Sequence, residues 1–316
     1  MISFFIYLLK LLILDILVKI NRSILGIIIA IASLASIGIF IHKSEVGPII
    51  TGFYRCLFAI PLLLIAEQFS KKNNSTLPAK VSHKSLFLLN SIAGIALAMD
   101  ICVWNLSFKY TTMAEANLIV NLAPFLILPL TIFYFKEPVN KLVTYPIIAA
   151  ILGLFLLVFS GKSTANIHMM GDLLAFIAAI FYAIFVVVTK ISADKGANMT
   201  RYMTIVSLYC ALILLISGII AQEKILPDSL NGWLLLLGLA FISQILGQLM
   251  LARSIKKVKL QISSILLLMQ PVFAAAYGFI FFNENLTLLQ IIGALIILIS
   301  VYVFKRVEAI PRKFKP

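Results

Sequence analysis

The chain has 316 residues, of which 62% are hydrophobic and only 12% charged, whereas an ordinary soluble domain has about 25% charged residues. Too few charged side chains are present to cover a soluble globule of this size, so that class is excluded and the composition predicts a membrane bundle. The net charge of +14 does not indicate nucleic-acid binding, because the basic residues lie in connectors between apolar segments, where they favour anionic lipid head groups.

Ten apolar segments long enough to span a bilayer follow one another along the chain. Their side chains are apolar on all sides, which predicts helices and excludes the alternating pattern of membrane strands. The predicted spans are about 24–42, 48–67, 85–104, 112–135, 142–160, 171–189, 202–221, 231–251, 260–282 and 286–304. The predicted fold class is therefore an all-α integral membrane protein with ten transmembrane helices.

Two terminal segments flank these spans. Residues 1–23 are nearly as apolar as a span but include Lys10, Asp15 and Lys19, so we interpret them as an interfacial segment at the membrane surface, with an eleventh span as the alternative. Residues 305–316 form a basic tail.

The basic residues are distributed unevenly between the two sides of the predicted bundle. Of the 26 Lys and Arg residues, Lys43, Lys109, Lys162 and Lys224 fall on one side, Arg55 lies inside a span and the other 21 share the opposite side. Because basic loops stay in the cytoplasm, this asymmetry predicts that both termini of a multi-pass protein are cytoplasmic. The 20 Lys against 6 Arg and the many Ile residues indicate a bacterial source, so the predicted location is a bacterial inner membrane.

The sequence contains an internal repeat with an offset of 147 residues. The offset aligns Pro124 with Pro271 and Glu137 with Glu284, and it gives identities at Ser107/Ser254, Lys109/Lys256, Phe135/Phe282 and Leu142/Leu289. Each half then has five helices, an odd number, so the second half enters the membrane upside down. The halves are 24–160 and 161–304, and such inverted repeats are typical of secondary carriers with a binding site near the membrane midplane.

Several motifs resemble the EamA-type repeat of the drug/metabolite transporter superfamily. They are WNLSFKYTTMAEAN at 104–117, NLAP at 121–124, FKE at 135–137, QP at 270–271, FNE at 282–284, GP at 47–48 and FYR at 53–55. The resemblance covers about residues 24–304. It implies an exporter or importer of amino acids or other metabolites and does not name the substrate.

Polar side chains inside the spans are candidates for substrate contact, since facing lipid would be unfavourable for them. The candidates are Asn117 and Asn121 of helix 4, Trp104 of helix 3, Gln244 and Gln248 of helix 8 and Gln270 of helix 9. The alternatives are hydrogen bonds between helices for the amides and an interfacial position for the Trp. Pro124 and Pro271 predict kinks in helices 4 and 9.

Arg55 and Asp100 are the charged residues furthest inside the predicted spans. Each lies roughly 10 Å inward from the outer end of its helix, at 1.5 Å per residue. An isolated charge at that depth is unfavourable, so we predict a structural or coupling charge pair, with direct substrate contact as the alternative.

Two other motifs are not interpreted as sites. GKST at 161–164 lacks the first glycine and the preceding strand of a phosphate-binding loop, and the three His and three Cys residues show no metal-ligand spacing. No metal, cofactor or catalytic residue is predicted. The leading hypothesis is a secondary carrier that exports a small metabolite, with protons as a candidate coupling ion; the alternatives are an uptake carrier or exchanger for a nucleotide-like or amino-acid-derived nutrient, and a membrane-embedded enzyme or structural protein.

Overall fold

A computed structural model of the chain describes residues 22–73, 83–111, 113–136, 142, 144–159, 169–282 and 286–308. All regular secondary structure in these ranges is helical. The prediction of an all-α membrane protein is thereby confirmed. The segment 1–21 and the tail from residue 309 lie outside the described residues, as do Glu137 and Glu284 of the repeat.

The described residues form helices that follow the predicted spans to within a few residues. In chain order they are α1 (Arg22–Lys43), α2 (Pro48–Asn73), α3 (His83–Ser107), α4 (Met113–Val120 and Ala123–Phe133), α5 (Thr144–Phe159), α6 (Met169–Asp194), α7 (Met199–Ile220), α8 (Leu230–Ile255), α9 (Leu260–Leu267 and Gln270–Phe282) and α10 (Leu288–Glu308). Eight of these, all except α4 and α5, are long and apolar enough to cross a membrane. Helix α10 continues to Glu308, four residues into the segment predicted as a tail.

Helices α4 and α9 are both interrupted near a proline. The first segment of α4 ends at Val120 and the first segment of α9 ends at Leu267, in each case four residues before Pro124 or Pro271. A proline has no N–H to donate to the carbonyl four residues earlier, and its ring clashes with that carbonyl. Each helix is therefore interrupted one turn before its proline.

The central part of α8 is wound differently from the rest of the bundle. From Ala240 to Leu249 it is a π-helix, with α-helical segments on either side. A π segment of this length is rare, and π segments occur frequently at functional sites. The sequence pattern predicted only an ordinary helix at this position.

The helices pack in a regular set of neighbours. Helix α3 packs along α6 and α7, α2 along α7 and α8, and α5 along α10, while α1 packs on α8 and α9, and α4 packs on α6 and α9. Large apolar side chains such as Phe87, Leu152, Ile216 and Phe281 are exposed on the outside. Such a surface is expected where lipid is the surrounding solvent.

Hydrogen bonds between connectors hold one end of the bundle together. The Glu45 carboxylate accepts from the backbone N–H groups of Asp228 at 2.8 Å and Ser229 at 3.0 Å, in front of α8. Glu223 accepts from the N–H of Ile50 at 3.0 Å, in the first turn of α2. Each glutamate thus caps a helix of the other half of the chain. We call this arrangement the capping clasp.

A lysine ties the helices at the opposite end. Lys190 of α6 is buried, and its ammonium group lies 2.9 Å from the carboxylate of Asp194. It also donates to the carbonyls of Ile255, at 3.4 Å, and Val258, at 3.3 Å, which lie at and just after the end of α8. A cation near the C-terminal carbonyls of a helix is stabilising, so Lys190 joins α6 to the end of α8.

Candidate functional site

The two predicted glutamines of α8 lie in its π segment and are both buried. Gln244 donates from Nε2 to the hydroxyl of Ser207 on α7 at 2.9 Å. The Oε1 atoms of Gln244 and Gln248 have no hydrogen-bond partner among the described residues. A buried amide oxygen without a partner is unfavourable, so both glutamines retain an acceptor for a group that the described residues do not supply.

A narrow gap lies next to Gln248, between α6 and α8. It is lined by Phe185, Val186 and Thr189 of α6 and by Gln248, Leu251, Ala252 and Ile255 of α8, and it is too narrow to hold a water molecule. Ligand pockets typically have about 300–1,000 Å³. A solute would therefore enter here only if α6 and α8 separated.

The asparagines of α4 are placed at the break in that helix. Asn121 lies just after the first segment, and its side-chain Nδ2 donates to the backbone carbonyl of Asn117 at 2.7 Å. Both side chains are half-buried. The Asn117 carbonyl also accepts from the backbone N–H of Asn121 at 3.1 Å, so the Asn121 amide is a second donor to it, a use that sequence spacing alone does not distinguish from substrate contact.

Gln270 and Trp104 are the other two amide or aromatic candidates. Gln270 begins the second segment of α9 and is half-buried. Trp104 is on α3, one turn beyond Asp100, and its ring packs against Phe108 with centroids 4.9 Å apart. The buried indole Nε1 has no hydrogen-bond partner in the described part of the chain.

Arg55 of α2 and Asp100 of α3 are both buried, with 5% and 8% of their surface exposed. They are near enough for each charge to act electrostatically on the other, and both charges act on Tyr182 of α6. However, no ion pair with an N···O distance of 4.0 Å or less joins them. The structure thus brings the two predicted charges into one region without direct contact.

The candidates fall into separate regions of the bundle. Arg55, Asp100 and Trp104 belong to α2 and α3, the two asparagines to α4, and the buried glutamines to α8. No hydrogen bond within the described residues joins the asparagines of α4 to the glutamines of α8. The described residues include no cluster of three or more His, Cys, Asp or Glu side chains placed to hold a metal ion.

Several residues near these candidates have no distinguishing pattern in the sequence. Ser207 is the partner of Gln244, Tyr182 lies beside the two charges, and the Tyr202 hydroxyl of α7 is 2.7 Å from Thr189 Oγ1 on α6. These are isolated Ser, Thr and Tyr residues in apolar helices. Only the packing of α6 and α7 shows which of them face the buried polar groups.

Comparison with known proteins identifies the family. The model of the EamA-like transporter family matches the chain twice, at residues 21–159 and 169–306. A solved crystal structure has the same fold, with a TM-score of 0.70, 16% sequence identity, and coverage of 90% of this chain and 97% of the other.

Three similar proteins have names that indicate transport. An uncharacterized transporter of Archaeoglobus fulgidus is 26% identical and aligns with 80% of this chain and 91% of its own length. The pseudopaline exporter CntI of Pseudomonas aeruginosa is 23% identical, over 69% of this chain and 74% of its own. The uncharacterized transporter YxxF of Bacillus subtilis is also 23% identical, over 88% of this chain and 87% of its own length. With most of its length covered by the family model, this chain belongs to the EamA-like transporter family of the drug/metabolite transporter superfamily and is a multi-pass membrane transporter.

Proposed function

We propose that the protein is a secondary carrier that moves a small metabolite, an amino acid or a related compound, out of the cell across the bacterial inner membrane. In this proposal ten transmembrane helices form two inverted halves, 24–160 and 161–304, that expose a shared site alternately to either side. Both termini lie in the cytoplasm, and protons are the candidate coupling ion.

The observation that carries the proposal is the exchange of helix contacts between the halves. Each helix of one half has an equivalent in the other half, five places away in chain order, and helix contacts recur between the equivalents. The contact of α3 with α6 corresponds to that of α8 with α1, and the contact of α3 with α7 corresponds to that of α8 with α2. The contact of α4 with α6 likewise corresponds to that of α9 with α1. The contacts of α2 with α7, α4 with α9 and α5 with α10 correspond to themselves. This pattern is expected for two similar halves related by a two-fold axis.

Two further observations support the two halves. The family model matches each half once, and the breaks of α4 and α9 after Val120 and Leu267 are 147 residues apart. Because each half contains five helices, equivalent helices run through the membrane in opposite directions. Alternating access then follows if the halves rock around the common axis.

The proposed substrate contacts are the polar side chains Asn117, Asn121, Trp104, Gln244, Gln248 and Gln270. The unpartnered Oε1 atoms of Gln244 and Gln248 support this role for α8, because a polar solute would supply the missing donors. The export direction rests on one relative that is named as an exporter. Uptake or exchange is the second outcome that the experiment distinguishes.

The experiment is transport by the purified protein in lipid vesicles. Vesicles with and without protein, loaded with one unlabelled metabolite at a time, are diluted into a labelled form of the same compound, and counterflow is measured for amino acids, peptides and nucleosides. We expect saturable counterflow for at least one amino acid or related compound. A proton gradient that is acidic on the extracellular side of the protein should drive net transport of that compound outward. If no compound exchanges faster than in protein-free vesicles, the proposal is wrong. If the proton gradient drives the compound towards the cytoplasmic side instead, the assigned direction is reversed.

A further inference from the structure

The Arg55 side chain has an unused hydrogen-bonding edge inside the bundle. Its Nε and Nη2 atoms are buried and have no hydrogen-bond partner in the described part of the chain. These two atoms carry the N–H groups on the same edge of the planar guanidinium. Two parallel donors of this kind match the two oxygens of a carboxylate.

Asp100 offers the complementary group. Its Oδ1 atom is also buried without a hydrogen-bond partner among the described residues, and no ion pair within 4.0 Å joins it to Arg55. Two buried charges that do not pair directly leave a desolvation penalty that neither compensates. A ligand carrying one negative and one positive group would compensate both.

The two charges lie at one depth. Arg55 is seven residues after Pro48, where α2 begins, and Asp100 is seven residues before Ser107, where α3 ends. At 1.5 Å per residue, each is about 10 Å from the same side of the membrane. Trp104, one turn from Asp100 towards that side, adds a buried N–H without a partner.

The other half of the chain has no charges at the two equivalent positions. The 147-residue offset places Tyr202 at the equivalent of Arg55 and Gly247 at the equivalent of Asp100. The Tyr202 hydroxyl is instead hydrogen-bonded to Thr189 at 2.7 Å, and α7 packs on α8 as α2 packs on α3. The same helix packing therefore forms without charges, which argues against a purely structural clamp.

We infer that Arg55 and Asp100 form a binding subsite for zwitterionic α-amino compounds, in which the Nε and Nη2 edge of Arg55 holds the ligand's carboxylate and Asp100 holds its ammonium group. The inference rests on the proposed carrier function and specifies its substrate class. Compounds with both groups free bind, and compounds with either group blocked bind weakly. The unpartnered indole N–H of Trp104 supplies a further donor for the carboxylate.

The test is binding to the purified protein in detergent, measured as ligand-induced thermal stabilisation. The probes are the common L-amino acids, each alone, followed by the methyl ester and the N-acetyl derivative of every amino acid that binds. We expect at least one amino acid to bind saturably and both blocked forms to bind at least about ten-fold more weakly, since each loses a charge-assisted contact.

Variants distinguish a subsite from a structural role. Arg55→Gln should weaken binding of the free amino acid about ten-fold or more while leaving the affinity for the methyl ester unchanged. Asp100→Asn should weaken binding of the free amino acid to a similar extent while leaving the affinity for the N-acetyl form unchanged. The double variant Arg55→Gln, Asp100→Asn leaves neither of these buried charges alone, so it should fold. It should bind the free amino acid and both blocked forms only weakly. Arg201→Gln and Asp228→Asn, two exposed positions, are the matched controls and should bind normally.

Three outcomes would overturn the inference. The first is that no amino acid binds, and the second is that the blocked forms bind as well as the free ones. The third is that each single variant loses affinity for the free and blocked forms equally, as a structural role predicts. Failure of the subsite is distinguishable from failure of the carrier function. Vesicle counterflow of compounds that are not zwitterions would show a working carrier without this subsite.

Discussion

The Glu45 carboxylate caps α8 from across the bundle: it accepts hydrogen bonds from Ser229 through both the backbone N–H, at 3.0 Å, and the hydroxyl, at 2.5 Å. Glu45 precedes α2, and Ser229 is the N-cap residue of α8. Glu223, which precedes α8, returns the contact by capping α2 through Ile50. The capping clasp therefore joins α2 and α8, one helix from each half, through negative charges at helix N-termini.

The contribution of the capping clasp to stability should depend on pH. Hydrogen bonds from Ser229 hold the pKa of Glu45 below its usual value, so folding favours the ionised carboxylate. Its stabilising contribution is present above the ordinary Glu pKa of about 4.3 and is lost as pH falls through the lowered pKa. We expect Glu45→Gln to lower the unfolding temperature at neutral pH and to make no difference at pH values below the lowered pKa.

Thermal unfolding in detergent, followed by tryptophan fluorescence across a pH series, measures this difference. Asp228→Asn is the control, because it removes the exposed ion pair with Lys224 but keeps the backbone N–H that Glu45 accepts, and exposed ion pairs contribute little. A Glu45→Gln effect that is independent of pH would contradict the role of the carboxylate charge.

The close contact of α5 with α10 depends on glycine. A Cβ atom on Gly293 would lie 2.5 Å from the backbone nitrogen of Leu157 and 2.6 Å from the Gly153 carbonyl oxygen, so Gly293→Ala should force the helices apart. We expect a loss of about 1–3 kcal/mol in the free energy of unfolding. Gly38→Ala in α1 is the control, since its added Cβ would meet no atom of the described residues within 4 Å apart from its own helix backbone and chain neighbours, and alanine gains up to about 1 kcal/mol in helix propensity. Equal stabilities for the two variants would show that α5 and α10 are not in contact at Gly293.

The two glutamines of α8 should behave differently when replaced by leucine. Gln244 also bonds Ser207, so Gln244→Leu should lower stability by about 1 kcal/mol in addition to lowering the transport rate. Gln248 lines the gap beside Thr189, so Gln248→Leu should lower the transport rate about ten-fold or more while the protein stays as stable as wild type. Counterflow and thermal unfolding measured on the same preparations separate the two effects. Normal transport by a stable Gln248→Leu protein would remove Gln248 from the substrate path.

The helical architecture was accessible from sequence because it depends on local properties. Length and uniform hydrophobicity define where α6, α7 and α8 begin and end, and a proline's missing N–H predicts distortion in α4 and α9 wherever the helix lies. The charges of Arg55 and Asp100 were likewise conspicuous, since so few charged residues occur inside apolar segments. Each of these inferences needs only the residue and its immediate neighbours in the chain.

The remaining features arise from contacts between distant parts of the chain. The π winding at Gln244 and Gln248 occurs in a segment whose sequence resembles other apolar helices. The bonds of Lys190 to the end of α8, and of Glu45 and Glu223 across the halves, depend on how connectors meet. Asn121 shows the limit for single residues, because the same amide could contact a substrate or donate to its own helix, and only the structure shows the bond to the Asn117 carbonyl.

The inverted relation of the two halves is tested most directly by labelling a pair of equivalent lysines. Lys109 follows α3 and Lys256 follows α8 at the 147-residue offset, and both side chains are exposed. Lys109→Cys and Lys256→Cys are made on a background without Cys56, Cys102 and Cys210, and intact cells are treated with a membrane-impermeant maleimide before and after permeabilisation. The account predicts that Lys109→Cys is labelled in intact cells and Lys256→Cys only after permeabilisation. Labelling of both positions from the same side would contradict the inverted repeat and the alternating-access proposal built on it.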